Sequence, residues 1–270
     1  DNYELLSPNK PYYFFVRRKT EDISHYLEWK KINEIFPVNS VGIVTSRDTF
    51  VIDEDKLNLQ RKLNLFSDLS IPNEVIEKSF DVKDTSAWKI EQARKNISKN
   101  VDLSVIKEIL YRPFDKRFII YHQAVIDRMR LDVMRHMLKD NLGLICKRQG
   151  KRKPYSYFFI TDTICESCVF ESAYANNTVL PLYLYADENK NDLYTSENEE
   201  KKPNIDIKIY NKLESTYGQK LPPEDILNYI YGVFYSNIYR ETYAEFLEYD
   251  FPRVPFTADS VLFQQMAALG

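Results

Sequence analysis

Glycine is scarce in this chain, with 6 residues among 270, and the scarcity excludes much. Sites that cradle a phosphate or a methyl-donor cofactor need backbone amides held close to the ligand, which glycine allows because it has no Cβ. The nearest approach to a phosphate loop is Gly143 with Gly150-Lys151. Its two glycines are separated by six residues rather than four, and Arg152 stands where a Ser or Thr would hold Mg2+. No Gly-x-Ser-x-Gly, His-x-x-x-His pair or Asn-Pro-Pro-aromatic motif occurs. Cysteine and histidine are equally thin, at 3 each. Cys165-Glu166-Ser167-Cys168 is a lone C-x-x-C without a second pair, and these thiols read as structural rather than zinc-binding or redox-active. Long apolar runs are missing too, as is a signal peptide, so the expectation is a soluble cytoplasmic protein without a membrane partner. The chain opens at Asp1 without a Met and closes at Gly270 inside a helical pattern, which reads as a fragment of something longer.

Asp22 and Glu28-Trp29-Lys30 loosely match the D…E-x-K set of metal-dependent nucleases. That chemistry needs carboxylates at a strand end beside a lysine. Here the residues fall on an amphipathic pattern, where a solvated helix face accounts for them. The sequence therefore offers no catalytic residue, no metal ligand set and no cofactor site of its own.

What is present is a foldable core. Hydrophobic residues make up 44% and aromatics 14%, with 20 Tyr, which is a globular rather than a disordered composition. Tyr12–Val16 reads as a strand, and Ile23–Phe36 as a helix ended by Pro37. Val41–Thr45 and Thr49–Ile52 read as short strands around the polar turn 46–48, and helices are expected over 57–66, 73–80 and 86–97. Next come a strand over 117–121, a helix over 130–139, and strands over 142–147, 155–161, 165–171 and 179–185. Residues 186–204 are polar and unpatterned, and helices follow over 206–217, 223–235, 238–247 and 258–269. The fold class is α+β: a mixed N-terminal region (1–100), a β-rich core (101–186), a polar loop (187–204) and a helical C-terminal region (205–270).

Charge is unevenly spread. Ile109–Lys153 holds twelve Lys/Arg against four Asp, a net of +8, which leaves −11 for the remainder of a chain whose net is −3. Such segregation suits a polyanion-binding face. Lys147, Arg148, Gln149, Lys151, Arg152 and Lys153 fall at an expected strand-to-strand turn, where a hairpin tip can enter a DNA groove and bond base edges. Arg128, Arg130 and Arg135 flank or lie on the preceding helix, positioned to clamp phosphates. Arg128 and Arg135 share a face if the helix extends that far back. Arg112, Asp115 and Arg117 read either as phosphate contacts or as a structural ion-pair cluster.

Taken together, VGIVTSRDTF (41–50), Lys83-Asp84-Thr85 with Trp88, YRPFDKRFIIY (111–121) and RMRLDVMRHM (128–137) form a recognisable series. It continues through FITDTIC (159–165), PLYLY (181–185), 224–239, 243–246, the Phe-Pro-Arg-Val-Pro of 251–255, and 263–270. In this order the segments resemble the C-terminal target-recognition region of single-chain restriction–modification enzymes of Type ISP and Type IIG. The resemblance implies a module that finds a short double-stranded DNA sequence for upstream adenine-methyltransferase and nuclease domains of a bacterial enzyme. Those missing domains would use S-adenosylmethionine and Mg2+. It further implies that Thr45, Arg47 and Asp48 form a turn near the methyltransferase junction, facing DNA. Arg112 and Arg117 are implied as scaffold and phosphate contacts, and base readout falls to the 147–153 hairpin. The alternative is an interaction scaffold that packs on the catalytic domains and touches no DNA. A metal-dependent nuclease using Asp22, Glu28 and Lys30 is the third reading.

Overall fold

The structure, a computed structural model, describes residues 23–98, 102–150, 154–171, 176–186 and 201–270. In chain order the first strands are Lys30–Lys31 (β1), Ser40–Val41 (β2), Ile52–Asp53 (β3), Ile106–Arg112 (β4), Asp115–Ile120 (β5) and Gly143–Lys147 (β6). After them come Phe158–Thr161 (β7), Ile164–Cys165 (β8), Asn177–Pro181 (β9), Tyr183–Tyr185 (β10), Lys201–Pro203 (β11) and Arg253–Val254 (β12). The architecture is α+β, with two four-stranded sheets, ordered β2-β9-β6-β7 and β3-β5-β4-β8, and a run of helices from 207 to 269.

One extended segment joins the two sheets. Ser40 and Val41 pair with Val179 and Thr178 of β9. Two residues later Ile43 bridges Glu166, just past β8, and Val44 bridges Arg128. Gly42 lies at the crossover, where a Cβ would come within 2.4 Å of the Glu166 carbonyl oxygen. Only a residue without a side chain lets the two backbones approach so closely.

Two apolar cores flank this seam. On one, β4 and β5 pack against helices Lys56–Ser67, Asn73–Phe80 and Ile90–Ser98. Phe50 and Phe66 meet there at 4.4 Å between ring centroids, and Phe50 stacks on Phe80 at 4.8 Å. Arg94 is buried in the same layer and donates from Nε to the Phe66 carbonyl at 2.9 Å, tying two helices together. On the other, β6, β7 and β9 are covered by the C-terminal helices, with Phe158 stacked on Phe234 at 4.3 Å.

Several expected elements shift. The helix read over 23–36 is two short helices, Ile23–Glu28 and Ile32–Ile35, because Lys30 and Lys31 between them pair with Val254 and Arg253. Thr49–Ile52 is a helical turn, Asp48–Val51, running into β3. The strand read over 179–185 is split at Leu182, β9 pairing with β6 and β10 with β11. Tyr12–Val16 lies outside the described residues. The helix read over 238–247 is two, Asn237–Thr242 and Ala244–Leu247, while the other C-terminal helices follow the pattern: Ile207–Tyr217 starts at an Asp206 side-chain cap and stops at Gly218, whose φ of 66° suits a residue without Cβ.

Candidate nucleic-acid interface

Strand direction decides which loops share a surface. β8 runs parallel to β4, Ile43 runs parallel to the segment after β8, and β9 runs antiparallel to both β2 and β6. The C-terminal ends of β4, β6, β8 and the 40–45 segment therefore point the same way. That upper end collects the Thr45–Asp48 turn, the Pro113-Phe114 turn between β4 and β5, and Arg148 and Gln149 after β6. Asp127 joins them, because Arg128 pairs antiparallel with Val44 and the Ser46 hydroxyl lies 3.3 Å from the Asp127 carboxylate.

The turn at 45–48 and the Tyr-Arg-Pro-Phe-Asp-x-Arg hairpin are one structure. Asp48 accepts hydrogen bonds from the Thr45 hydroxyl and, at 3.0 Å, from the Tyr111 hydroxyl. Burial, followed by the nearby Asp48 charge, raises the pKa of Tyr111, so it remains a donor. The guanidinium groups of Arg112 and Arg117 lie 3.9 and 4.4 Å from the Tyr111 ring centre. Arg112 also bonds Glu166 at 3.0 Å. Arg117 bonds Asp115 at 2.9 Å and Glu54 at 3.3 Å, and the hydrogen bond it donates to Asp115 raises its pKa. Arg47 sits 3.8 Å over the Trp88 ring and donates to the carbonyls of Val125 and Thr45. Burial lowers its pKa, with the Asp127 charge opposing that shift.

The remaining cations are dispersed. Arg128 is exposed along 64% of its side chain, with one loose contact to Asp127 at 3.9 Å. Arg130 caps the helix Leu131–Met137 in a left-handed conformation, φ 56°, so the helix does not reach back to 128 and the condition for Arg128 and Arg135 to share a face is not met. Arg135 donates to the Tyr185 carbonyl at 3.1 Å. That places it at the lower end, beside Gly143 and the start of β10.

Lys147 is a strand residue with no exposed surface, and its ammonium bonds the Glu171 carbonyl at 3.1 Å and lies 3.4 Å from that residue's carboxylate. The charge is turned inward, so in this conformation it meets no groove. Arg148 is exposed along 65% of its side chain and approaches Asp250 at 3.4 Å. Gln149 is exposed. Lys151, Arg152 and Lys153 lie outside the described residues.

Two further residues shape the upper end. Ser46 and Phe114 both have positive φ, 58° and 63°. A non-glycine residue held there costs about 1 kcal/mol or more. Phe114 is also 91% exposed. The Pro-Phe pair in a two-residue turn was the available signal, since that second position ordinarily goes to Gly or Asn.

The lower end is built differently. Asn141 donates to the carbonyls of His136 and Tyr183 at 3.1 and 2.8 Å, and its side-chain oxygen accepts from Leu142 and Tyr183. His136 Nδ1 accepts from the Tyr185 amide at 2.9 Å, and burial, helped by the Arg135 charge, lowers its pKa to about 4. Among the described residues no group of three His, Cys, Asp or Glu side chains could hold a metal ion, and no helix is long and apolar enough to cross a membrane. Of the D…E-x-K set, Glu28 ends a short helix, Lys30 lies in β1, and Asp22 lies outside the described residues.

Comparison with known proteins agrees with this architecture. Solved structures with the same fold include the DrdV–DNA complex (21% identity, TM-score 0.68, 99% of this chain and 27% of that one). The ATP-dependent Type ISP restriction-modification enzyme LlaBIII bound to DNA matches at 22% identity and TM-score 0.68, over 97% of this chain and 17% of its own. A nuclease-deletion mutant of the Type ISP enzyme LlaGI with a DNA substrate mimic matches at 20% identity and TM-score 0.60, over 99% and 20%. This chain thus spans about a quarter or less of each of these relatives. No curated protein matches it. The sequence profile of the Type ISP C-terminal specificity domain matches residues 34–270, and the chain belongs to that family.

Proposed function

We propose that this chain recognises a short sequence in double-stranded DNA on behalf of a restriction–modification polypeptide. The observation that carries the reading is the shared upper end. Exposed Arg128, Arg148 and Gln149 lie there with the Thr45–Asp48 turn, on two sheets joined through one segment. Arg128, with Arg130 behind it, supplies phosphate contacts that set register. Arg148 and Gln149, continuing into 151–153, have the donor and acceptor groups that read guanine and adenine edges. Thr45, Arg47, Arg112 and Arg117 hold these loops in place through Asp48, Trp88, Glu166 and Asp115 rather than reading sequence. The three related structures are, by their titles, complexes with DNA or a DNA substrate mimic.

In this reading the 270 residues supply recognition, not catalysis. Adenine-N6 methylation and cleavage belong to partner domains on the same polypeptide, which would use S-adenosylmethionine and Mg2+, in a bacterial cytoplasm.

A duplex-binding titration across ionic strength tests the proposal. The association constant is expected to fall linearly with salt on logarithmic axes, with a slope of about −0.9 per phosphate neutralised. Selection from a random-sequence duplex pool is expected to enrich one short motif. Absence of duplex binding even at low salt would reject the reading. It would favour the rival, a scaffold packed on catalytic domains, to which the ion pairs of Arg112, Arg117 and Lys147 are equally suited.

A further inference from the structure

Phe114 presents three observations that its own fold does not account for. It is a bulky residue in the left-handed region, at φ 63°. It leaves 91% of its surface in water. Its contact with the rest of the chain is an edge-on approach to Phe159, at 4.9 Å between ring centroids. A turn of this kind is more stable with Gly or Asn, and an exposed phenyl ring returns little burial energy. Among the described residues nothing explains why a phenylalanine occupies the tip.

The surroundings indicate what it meets. Phe114 projects from the upper end of the sheets, the end that carries Arg128, Arg148 and Gln149. Lys116 and Arg112 flank it on the same hairpin; Arg112 is held by buried Glu166, by the Tyr111 carbonyl at 2.6 Å and by the Tyr111 ring, whereas Lys116 has an exposed pair with Asp162. Such an exposed pair is weak and can be exchanged for a phosphate. Beside the ring runs an aromatic groove of about 410 Å3, lined in part by Phe159, Phe170, Tyr231 and Tyr235.

We infer that Phe114 is a wedge that enters the base stack of the bound duplex, partly unstacking one step, while Lys116 contacts an adjoining phosphate. The inference rests on the DNA-recognition reading above and specifies how that same end engages its ligand. Apolar side chains inserted between base steps are a means by which proteins kink DNA. The edge-on contact with Phe159 backs the ring on the side of the chain.

The test uses this chain and the duplex enriched by selection, with the fluorescent base 2-aminopurine placed at each position in turn. Wild-type protein is expected to raise the fluorescence at one step, because unstacking relieves quenching. Phe114→Ala is expected to abolish that rise and weaken binding roughly tenfold to hundredfold, the size of one lost base–aromatic contact. The salt slope should be unchanged, since no charge is removed, and Phe114→Leu should retain part of the signal. Phe114→Ala that still folds, binds as wild type and keeps the fluorescence rise would overturn the wedge and direct attention to a protein partner. Duplex binding with no fluorescence rise at any position would also overturn it, while leaving DNA recognition standing. No duplex binding at all would remove both.

Discussion

The two ends of the joined sheets both carry arginine and differ in how their polar side chains are satisfied. At the lower end Asn141 makes four hydrogen bonds, two as donor and two as acceptor, and His136 and Arg135 each engage the backbone of Tyr185. Every one of these ties closes a backbone group, and none uses a left-handed residue. At the upper end Ser46 and Phe114 are held at positive φ, and Arg128 and Arg148 extend into solvent. One end maximises stability and the other gives some of it up. Such strain, together with exposed polar chemistry, is what the DNA-recognition proposal expects of the surface that meets the ligand.

That contrast can be broken by substitution. The largest effect is expected from Asn141→Ala, which leaves several buried backbone groups without partners. Each costs about 1–3 kcal/mol, so a loss of roughly 3 kcal/mol or more is expected in chemical denaturation. DNA affinity should be preserved at temperatures where the variant remains folded.

Lys147→Ala comes next. It exposes Glu171 and the hydroxyl of Tyr157, which bonds that carboxylate at 2.5 Å. A stability loss of about 2 kcal/mol is expected, with the salt slope for DNA unchanged because the ammonium never faces the ligand. A slope that drops by about one contact would show instead that Lys147 turns outward on binding.

Arg128→Ala is the converse case. Stability should stay within about 0.5 kcal/mol of wild type, while the salt slope falls by about 1 and binding weakens similarly for all sequences. An unchanged slope would remove Arg128 from the interface.

A further effect is in pH. The folded-state pKa of His136 is held at about 4, below the ordinary value of 6.5. Between those values the unfolded chain binds more protons than the folded one, so stability rises with pH across that window and is lost as pH falls through it. The physical cause is burial of the imidazole, which disfavours its charged form, helped by the nearby Arg135 charge. His136→Gln should flatten this part of the profile in thermal melts taken from pH 4 to 7.

Much of the fold can be read directly from local pattern. The helices over 56–67, 73–80 and 223–235 fall within a residue of their expected ends, because apolar spacing and Pro or Asp at the start act locally. The same local logic failed at 30–31, where pairing with 253–254 breaks a helix that the periodicity supports. Composition nominates the segments 45–48, 112–117, 128–130 and 147–149 as a candidate site, whereas the inward turn of Lys147 and the lower-end position of Arg135 depend on distant partners and were not legible.

What the sequence determined by itself is the family order of motifs, the class of fold and the segregation of positive charge into 109–153. Only the tertiary structure decided which of those charges remain free to meet a ligand. Glu166 takes up Arg112 and Glu171 takes up Lys147, from 54 and 24 residues away, while a left-handed Arg130 separates Arg128 from the helix behind it. Net charge is a sum over residues, which a sequence states completely. Availability depends on partners brought from distant segments, and chain packing alone provides those.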